Sequence, residues 1–164
     1  MTVTAAPVIS RVPPRMFYRI VANAEAVTWT LLIAGMLLKY AADAGGLPVL
    51  IAGSIHGFVF ITYALTAVLV GVNQRWSVRQ IVAAVATAIV PYATIPFDRR
   101  LDRRGLLDGD WRHTATDDPR DATWVSRLLR WMLTHPAMLA TGFLVGIVVI
   151  MTTLLVIGPP GGWK

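Results

Sequence analysis

The chain has 164 residues, of which 55% are hydrophobic and 15% are charged, whereas a soluble domain carries about 25% charged residues. This composition excludes an ordinary soluble domain and indicates an all-α protein that crosses a membrane several times. The absence of cysteine excludes disulfides, thiolate metal sites and a cysteine nucleophile, and in so apolar a chain the net charge of +6 indicates anionic lipid headgroups, not nucleic acid, as the partner.

Four apolar stretches reach the length of about 20 residues that crosses roughly 30 Å of hydrocarbon. They predict four transmembrane helices, over about 17–40, 48–72, 78–97 and 136–157. The third stretch is the weakest by length, and Pro91 and Pro96 should kink or loosen its end. The first three helices form a predicted membrane domain over 17–101, which follows an N-terminal tail over 1–16.

The composition changes after the third stretch. Residues 98–121 hold most of the charge, together with glycine and proline, and predict a solvated, partly disordered loop. Trp124, Leu128 and Trp131 then lie at helical spacing, which is typical of a short helix at the headgroup level or of a lead-in to the next span. The predicted organisation after the membrane domain is a charged loop with an amphipathic helix over 102–135, the fourth transmembrane helix over 136–157 and a tail over 158–164.

Four crossings would place both ends of the chain on one side of the membrane. The basic residues assigned to that side are Arg11, Arg15, Arg19, Arg75, Arg79 and Lys164, and those assigned to the other side are Lys39, Arg99, Arg100, Arg103, Arg104, Arg112, Arg120, Arg127 and Arg130. Because Lys and Arg near the ends of spans favour the cytoplasm, the sequence predicts a cytoplasmic loop over 98–130 and external termini.

Small residues at four-residue spacing let membrane helices approach closely. Gly53 and Gly57 lie in the second stretch, and Gly142 and Gly146 lie in the fourth. Such pairs also arise by chance in apolar segments. The spacing nevertheless makes these four glycines the predicted helix-packing positions.

Two ionisable residues lie inside the apolar stretches, Glu25 in the first and His56 in the second. Such groups are costly in hydrocarbon and normally face a partner or a cavity, so they are candidate functional residues. A hairpin folded about residue 44 or 45 separates the two by roughly eight residues of depth, or about 12 Å. It predicts two polar layers, one of Glu25 with Tyr63 and with Thr66 or Thr87, and the other of His56 with Tyr92 and Thr94.

Two interpretations of these layers stay open. In the functional one, the layers form a proton or ion path or a polar ligand pocket. In the structural one, the buried groups hydrogen-bond to hold the helices together. No cofactor and no metal is predicted, because no second histidine lies at the depth of His56 for haem, and the acidic residues of 108–121 match no EF-hand or zinc spacing.

Several short segments occur in a distinctive order. They are Glu25, Lys39-Tyr40, His56-Gly57 and Phe97-Asp98-Arg99. With these segments the chain resembles the small bacterial integral membrane proteins grouped as domain of unknown function 3817, over about residues 17–101. The resemblance implies a bacterial cell membrane and a helical fold, and it implies no reaction. Family members of this kind are shorter, with three helices, so residues 102–164 form an extension outside the resemblance.

The small size, the small-residue motifs and the absence of a catalytic motif favour a non-enzymatic accessory or interaction subunit of a membrane complex. The expected partner is a larger membrane protein or a second copy of the chain. The alternative is a small transporter or proton-coupled carrier that uses Glu25 and His56. An enzyme acting on lipids, with Asp98, Arg99 and Arg100 at the interface, is less favoured.

Overall fold

The structure is a computed structural model that describes residues 12–157, and the regular elements in that range are all helical. The α-helices are α1 Pro14–Tyr40, α2 Leu47–Asn73, α3 Val78–Thr87, α4 Thr94–Arg103, α5 Trp124–Thr134 and α6 Pro136–Ile157, and a 3₁₀ helix covers Pro119–Ala122. The predicted all-α class is therefore confirmed. Arg11, Lys164 and the predicted tail over 158–164 lie outside the described residues.

Within the described residues, α1, α2 and α6 are the three helices long and apolar enough to cross a membrane. They confirm the first, second and fourth predicted spans. Pro14 and Pro48 each lie in the first turn of a helix, where the missing amide costs no hydrogen bond. The helices α1 and α2 form an antiparallel pair, and α6 packs against α2.

The predicted third span over 78–97 was wrong, because the chain reverses in the middle of it. Helix α3 ends at Thr87, turns follow over 88–93, and α4 begins at Thr94. Pro91 lacks the amide that would continue the helix and disfavours helical backbone at the residue before it. Tyr92 completes the reversal with a left-handed φ of 64°, and Pro96 is tolerated because it lies in the first turn of α4.

Helix α4 runs back along α1 toward the start of α1. Successive contacts are Ala88 with Trp29 at 3.1 Å, Thr94 with Ala22 at 3.1 Å, Asp98 with Arg19 at 2.9 Å and Asp102 with Arg15 at 2.6 Å. The partner on α1 moves toward the N-terminus as the chain advances. The helices α3 and α4 therefore form a re-entrant hairpin (residues 78–103) that enters and leaves at the same end of the α1–α2 pair.

Helix α1 shows how deep the re-entrant hairpin reaches. Arg19 and Lys39 are 20 residues apart, or about 30 Å along a helix, which is the thickness of the hydrocarbon. The hairpin tip contacts Trp29, which lies halfway between them. Backbone at this depth must be satisfied within the protein. The amides of Ile89 and Val90 donate to carbonyls three residues earlier, each at 3.2 Å, and the Trp29 indole donates to Ala88.

The re-entrant hairpin also changes the distribution of charge. It brings the start of α1, the end of α2 and residues 104–122 together, as shown by hydrogen bonds from Trp111 to the Val12 carbonyl (2.8 Å) and from Arg112 to the Val72 carbonyl (2.7 Å). We call this the arginine-rich end, because it carries Arg15, Arg19, Arg75, Arg79, Arg99, Arg100, Arg103, Arg104, Arg112, Arg120, Arg127 and Arg130. Between residues 12 and 157, Lys39 is the basic residue at the opposite end. The predicted separation of Arg15, Arg19, Arg75 and Arg79 from the loop was therefore wrong.

The predicted charged loop contains a helix and a folded segment, although most of its residues are exposed, as expected of a solvated loop. Its first part is α4, and residues 104–122 fold around Asp121, which is 3% exposed. One carboxylate oxygen of Asp121 pairs with Arg75 at 3.0 Å and with Arg112 at 2.9 Å, and the other accepts from the Thr116 hydroxyl at 2.7 Å. Arg112 also donates to the last carbonyls of α2 at 2.6 and 2.7 Å, which stabilises that helix end.

The Asp121 cluster should keep the loop folded down to a defined pH. Hydrogen bonds from the hydroxyl and amide of Thr116, and then the charges of Arg75 and Arg112, lower the pKa of Asp121 to about 2. An unfolded aspartate titrates near pH 4, so the contribution of Asp121 to loop stability is complete above about pH 4 and is lost as the pH falls through about 2. Hydrogen exchange of residues 104–122, corrected for intrinsic rates, should therefore stay constant from pH 7 to 4.

Asp121→Asn is the matched control, because it keeps the shape and removes the charge. Its loop should already exchange faster at pH 7 and should change less below pH 4 than the natural loop. A natural loop that opened between pH 6 and 5 would contradict the assignment of Asp121 as the residue that holds it.

A short helix, α5, lies before the last span, where the sequence predicted one. The Thr123 hydroxyl accepts from the Ser126 amide and caps the helix. Leu129 and Leu133 are buried against the protein, whereas Trp124 and Trp131 are 74% and 47% exposed. Exposed tryptophans beside arginines are typical of a helix at the membrane interface.

The four predicted packing glycines each lie beside another helix, at ordinary contact distances. A Cβ on Gly53 would lie 3.8 Å from Leu32, on Gly57 3.4 Å from Met151, on Gly142 3.6 Å from Met132, and on Gly146 3.4 Å from Leu65. The close backbone approach is at Gly35, where a Cβ would lie 3.0 Å from the Pro48 carbonyl oxygen and 3.2 Å from the Val49 Cα. Gly35 was not predicted as a packing position, because no small residue lies four positions from it.

Alanine substitutions should separate the two kinds of glycine. Gly35→Ala forces the α1 and α2 backbones apart and should lower the free energy of unfolding by about 1–3 kcal/mol. Gly53→Ala meets only a side chain, and its better helix propensity should make it neutral or stabilising by up to about 1 kcal/mol. Thermal unfolding in detergent measures both, and equal effects would contradict a special role for Gly35.

Candidate functional site

Glu25 lies on the face of α1 that packs against the re-entrant hairpin. Its side chain is fully buried, on the same helix face as Tyr18 and Ala22. The Thr94 hydroxyl lies 3.0 Å from Glu25 Oε2 and 3.1 Å from the Ala22 carbonyl oxygen. Glu25 Oε1 has no hydrogen-bond partner among the described residues. Thr94 therefore joins the start of α4 to the middle of α1 through the Glu25 carboxyl group.

His56 lies on α2 and is 8% exposed. Its Nδ1 is 3.0 Å from the Thr28 hydroxyl, which also donates to the Glu25 carbonyl oxygen at 2.9 Å. A hydroxyl has one proton to donate, so a donation to Glu25 leaves His56 as the donor to Thr28. The ring is flanked by Trp29 and Phe60, at centroid distances of 4.5 and 6.2 Å.

The prediction that Glu25 and His56 lie in separate layers about 12 Å apart was wrong. His56 is level with Thr28, which is three residues from Glu25 and so less than one helical turn away. The connection between α1 and α2 explains the error. Asp43 takes a left-handed φ of 50°, and the Ala44 amide bonds back to Leu38 at 2.9 Å. The chain thus folds back beside the end of α1, and α2 starts about one turn deeper than a symmetric hairpin would place it.

Tyr63 is fully buried and forms a separate cluster nearer the arginine-rich end. Its hydroxyl lies 2.7 Å from the Tyr18 hydroxyl, 3.2 Å from the Ala84 carbonyl oxygen and 3.1 Å from the Thr87 hydroxyl. The predicted level of Tyr63 with Thr87 is confirmed, but its hydroxyl bonds Tyr18 and not Glu25. Thr66 is also fully buried, and its hydroxyl has no hydrogen-bond partner within the described part of the chain.

Tyr92 and Thr94 do not join His56, and that prediction was wrong. The Tyr92 hydroxyl lies 3.2 Å from the Thr30 hydroxyl at the hairpin tip, where Tyr92 is 43% exposed. Thr94 contacts Glu25 instead. The cause is the reversal over 88–93, because a level deduced for a continuous helix no longer holds after the chain turns back.

The polar network also contains four residues that were not predicted from the sequence, Tyr18, Thr28, Trp29 and Asp98. Asp98 is 5% exposed and is paired with Arg19. A signal for this pair was present, since the basic residues of α1 and the acidic residues of α4 both recur at four-residue spacing. Opposite charges repeated at that spacing on two segments indicate a helix pair, and they would have identified α4.

The site is a sealed hydrogen-bond network that joins α1, α2 and the re-entrant hairpin. Within residues 12–157, no group of three His, Asp or Glu side chains is arranged to hold a metal ion. The groups present can exchange protons and hydrogen bonds with neighbours. Their hydrogen bonds connect three elements, α1, α2 and the re-entrant hairpin.

Two curated relatives of the chain are named as membrane proteins. One, from Streptomyces coelicolor, is 40% identical over 103 residues, which are 62% of this chain and 12% of that protein. The other, the uncharacterized membrane protein YdzA of Bacillus subtilis, is 38% identical over 73 residues, which are 43% of this chain and 73% of that protein. This chain therefore matches a small part of the first relative and most of the second. No solved structure matches the chain.

The family comparison covers α1, α2 and the re-entrant hairpin. The pattern of the family called domain of unknown function 3817 matches residues 15–103, which are more than half of the chain. The match begins in the first turn of α1 and ends at the last residue of α4, and α5 and α6 lie outside it. The chain is therefore a multi-helix membrane protein that belongs to the family of domain of unknown function 3817.

Proposed function

We propose that this protein is a non-enzymatic accessory subunit that packs against a larger membrane protein. The length of the Streptomyces coelicolor relative carries the proposal. Its matched segment is 12% of that protein, so the corresponding unit there is covalently joined to a much larger membrane protein. In that relative, the covalent link raises the effective concentration of the contact between the matched unit and the rest of the protein. A separate subunit has no such link and must hold the same contact through its own surface.

The polar network supports a structural role for its members. Glu25 is fully buried and His56 is 8% exposed, and both connect elements of the family domain through Thr94 and Thr28. Side-chain hydrogen bonds of this kind hold membrane helices in one arrangement. A rigid domain of this kind suits a subunit that presents a fixed surface to a partner.

The surface that we assign to the partner is the part of α1 beyond the tip of the re-entrant hairpin, which the hairpin does not cover and which we call the notch. The hairpin covers α1 only as far as Trp29 and Thr30, and α1 continues for about 15 Å beyond this point. Leu37 continues the face of Thr30 at helical spacing and is 60% exposed, and Ile89 at the hairpin tip is 66% exposed. A transmembrane helix of the partner would fill this half-depth gap.

We also propose that the arginine-rich end faces the cytoplasm. Lys and Arg near the ends of spans favour that side, and this end holds every basic residue between positions 12 and 157 except Lys39. The loop over 98–130 keeps its predicted cytoplasmic location. The start of α1 joins it there, in place of the external location that four crossings implied.

Photocrosslinking in intact membranes tests the partner surface. A photoreactive amino acid at position 37 or 89 should yield a crosslink to a membrane protein larger than this 17.9 kDa chain. The matched control is position 148 on α6, outside the family domain, where Val148 is 54% exposed. A crosslink at twice the chain mass would replace the larger partner with a second copy. A lone, monodisperse chain in mild detergent, without crosslinks, would reject the proposal.

A proton-coupled carrier is the second candidate, and one observation favours it. Glu25 Oε1, Asp98 Oδ1 and the Thr66 hydroxyl are buried and have no hydrogen-bond partner among the described residues. Such atoms could hold waters or a proton along the family domain. Liposomes with the natural protein should then show a pH-driven proton flux that Glu25→Gln abolishes without loss of fold. The absence of flux with the natural protein would reject the carrier.

A further inference from the structure

A cleft of about 250 Å³ opens between α3 and α4 at the arginine-rich end. Arg79 of α3, Arg100 of α4 and Arg104, the residue directly after α4, line its walls, and no acidic residue lines it. Arg100 and Arg104 are four residues apart, which places them on the same side of the end of α4. The cleft therefore gathers three positive charges from two helices.

These three arginines are not neutralised by the protein. In the described part of the chain, Arg79, Arg100 and Arg104 form no ion pair. The acidic residues of α4 are turned toward α1, where Asp98 and Asp102 pair with arginines of that helix. Like charges around one cleft repel one another and favour a bound anion.

Gln80 adds a neutral donor to the cleft. Its side-chain oxygen accepts from the Ser77 amide at 2.7 Å and from the Ser77 hydroxyl at 3.0 Å, as part of the capping box of α3. These contacts fix the side chain and leave its amide nitrogen available to donate. Arginine guanidinium groups and an amide donor together match the oxygens of a phosphate.

The remaining wall of the cleft is apolar. Ala83, Phe97, Leu101 and Leu106 line it, and Leu101 is 3% exposed. On α3, Val82 is the residue before Ala83 and is 60% exposed. A free phosphate ion would contact only the arginines and Gln80, whereas a phospholipid would also contact the apolar wall.

We infer that this cleft binds the phosphate of an anionic phospholipid in the leaflet at the arginine-rich end, with the acyl chains along α3. Basic pockets between membrane helices on this kind of surface bind such headgroups. The inference concerns a lipid site on α3 and α4, and it does not depend on the accessory role proposed above.

Lipid retention measured by native mass spectrometry tests the site. Phosphatidylglycerol and phosphatidylcholine are the two probes. Each arginine near an anionic headgroup contributes about fivefold to binding, so Arg100→Gln with Arg104→Gln should lower phosphatidylglycerol retention by on the order of tenfold or more. The matched control is Arg99→Gln with Arg103→Gln, which removes two charges from the same helix outside the cleft. This control should change phosphatidylglycerol retention less than twofold. Retention of phosphatidylcholine should also change less than twofold in either double variant.

Three results would overturn the inference. They are an equal loss in both double variants, no preference of the natural protein for phosphatidylglycerol, and displacement of that lipid by inorganic phosphate at millimolar concentration. If Arg100→Gln with Arg104→Gln does not fold, Arg79→Gln on the opposite wall replaces it, with Arg127→Gln on α5 as its control. A twofold or smaller effect of Arg79→Gln would then count against the site.

Discussion

Val78→Cys and Asp108→Cys should react with a membrane-impermeant maleimide only after the membrane is opened, whereas Ala42→Cys should react in intact cells. The natural chain has no cysteine, so each variant carries one reporter. Positions 42, 78 and 108 are all exposed. The expected contrast is close to all-or-none, because the reagent either reaches the thiol or does not.

The comparison of positions 78 and 108 tests the re-entrant hairpin itself. A third span would place them on opposite sides of the membrane. In the structure both lie at the arginine-rich end, because α4 returns along α1 to the Arg19–Asp98 pair. The comparison with position 42 then tests the orientation, which is a separate claim. Labelling of 78 and 108 from opposite sides would reject the hairpin, and labelling of both from outside would reject only the cytoplasmic assignment.

Thr94→Val should detach the re-entrant hairpin from α1. The change removes the hydroxyl that lies 3.0 Å from Glu25 Oε2, and Oε1 already has no partner among the described residues. A buried carboxyl group that loses this hydrogen bond should lower the free energy of unfolding by about 1–3 kcal/mol. Hydrogen exchange in detergent should increase across α3 and α4 and stay unchanged in α6.

Two further variants isolate the cause of this effect. Thr30→Val removes a similar hydroxyl from α1, whose partner Tyr92 is partly exposed, and should cost less than about 1 kcal/mol. Glu25→Leu combined with Thr94→Val removes both polar groups and should recover most of the lost stability. Equal losses of unfolding free energy in Thr30→Val and Thr94→Val would show that the Glu25–Thr94 contact stabilises the protein no more than the Thr30–Tyr92 contact does.

The sequence was sufficient to predict the elements whose signal lies within one continuous segment. The last span was predicted with the bounds that α6 has, Pro136–Ile157, because length and hydropathy alone decide whether a segment can cross a membrane. Helix α5 was predicted from the spacing of Trp124 and Trp131. In both cases neighbouring residues carry the information, and no knowledge of tertiary contacts was needed.

The parts that failed depend on how the chain reverses. The stretch 78–97 is apolar enough to suggest a span, but Pro91 and Tyr92 turn it back at mid-membrane. Hydropathy does not distinguish a segment that crosses from one that enters and returns within a protein. The level of His56 failed in the same way, since a shift of one turn in the connection around Asp43 moves every residue of α2 relative to α1.

The turn at Tyr92 also decides the parity of the membrane crossings. Within residues 12–157, three helices are long and apolar enough to cross a membrane, α1, α2 and α6, so we expect Pro13 and Ile157 to face different compartments. A reporter enzyme that works in only one compartment should be active when fused at one of these positions and inactive when fused at the other. We therefore expect one left-handed residue at the hairpin tip to set which compartment each flank of the helical bundle faces.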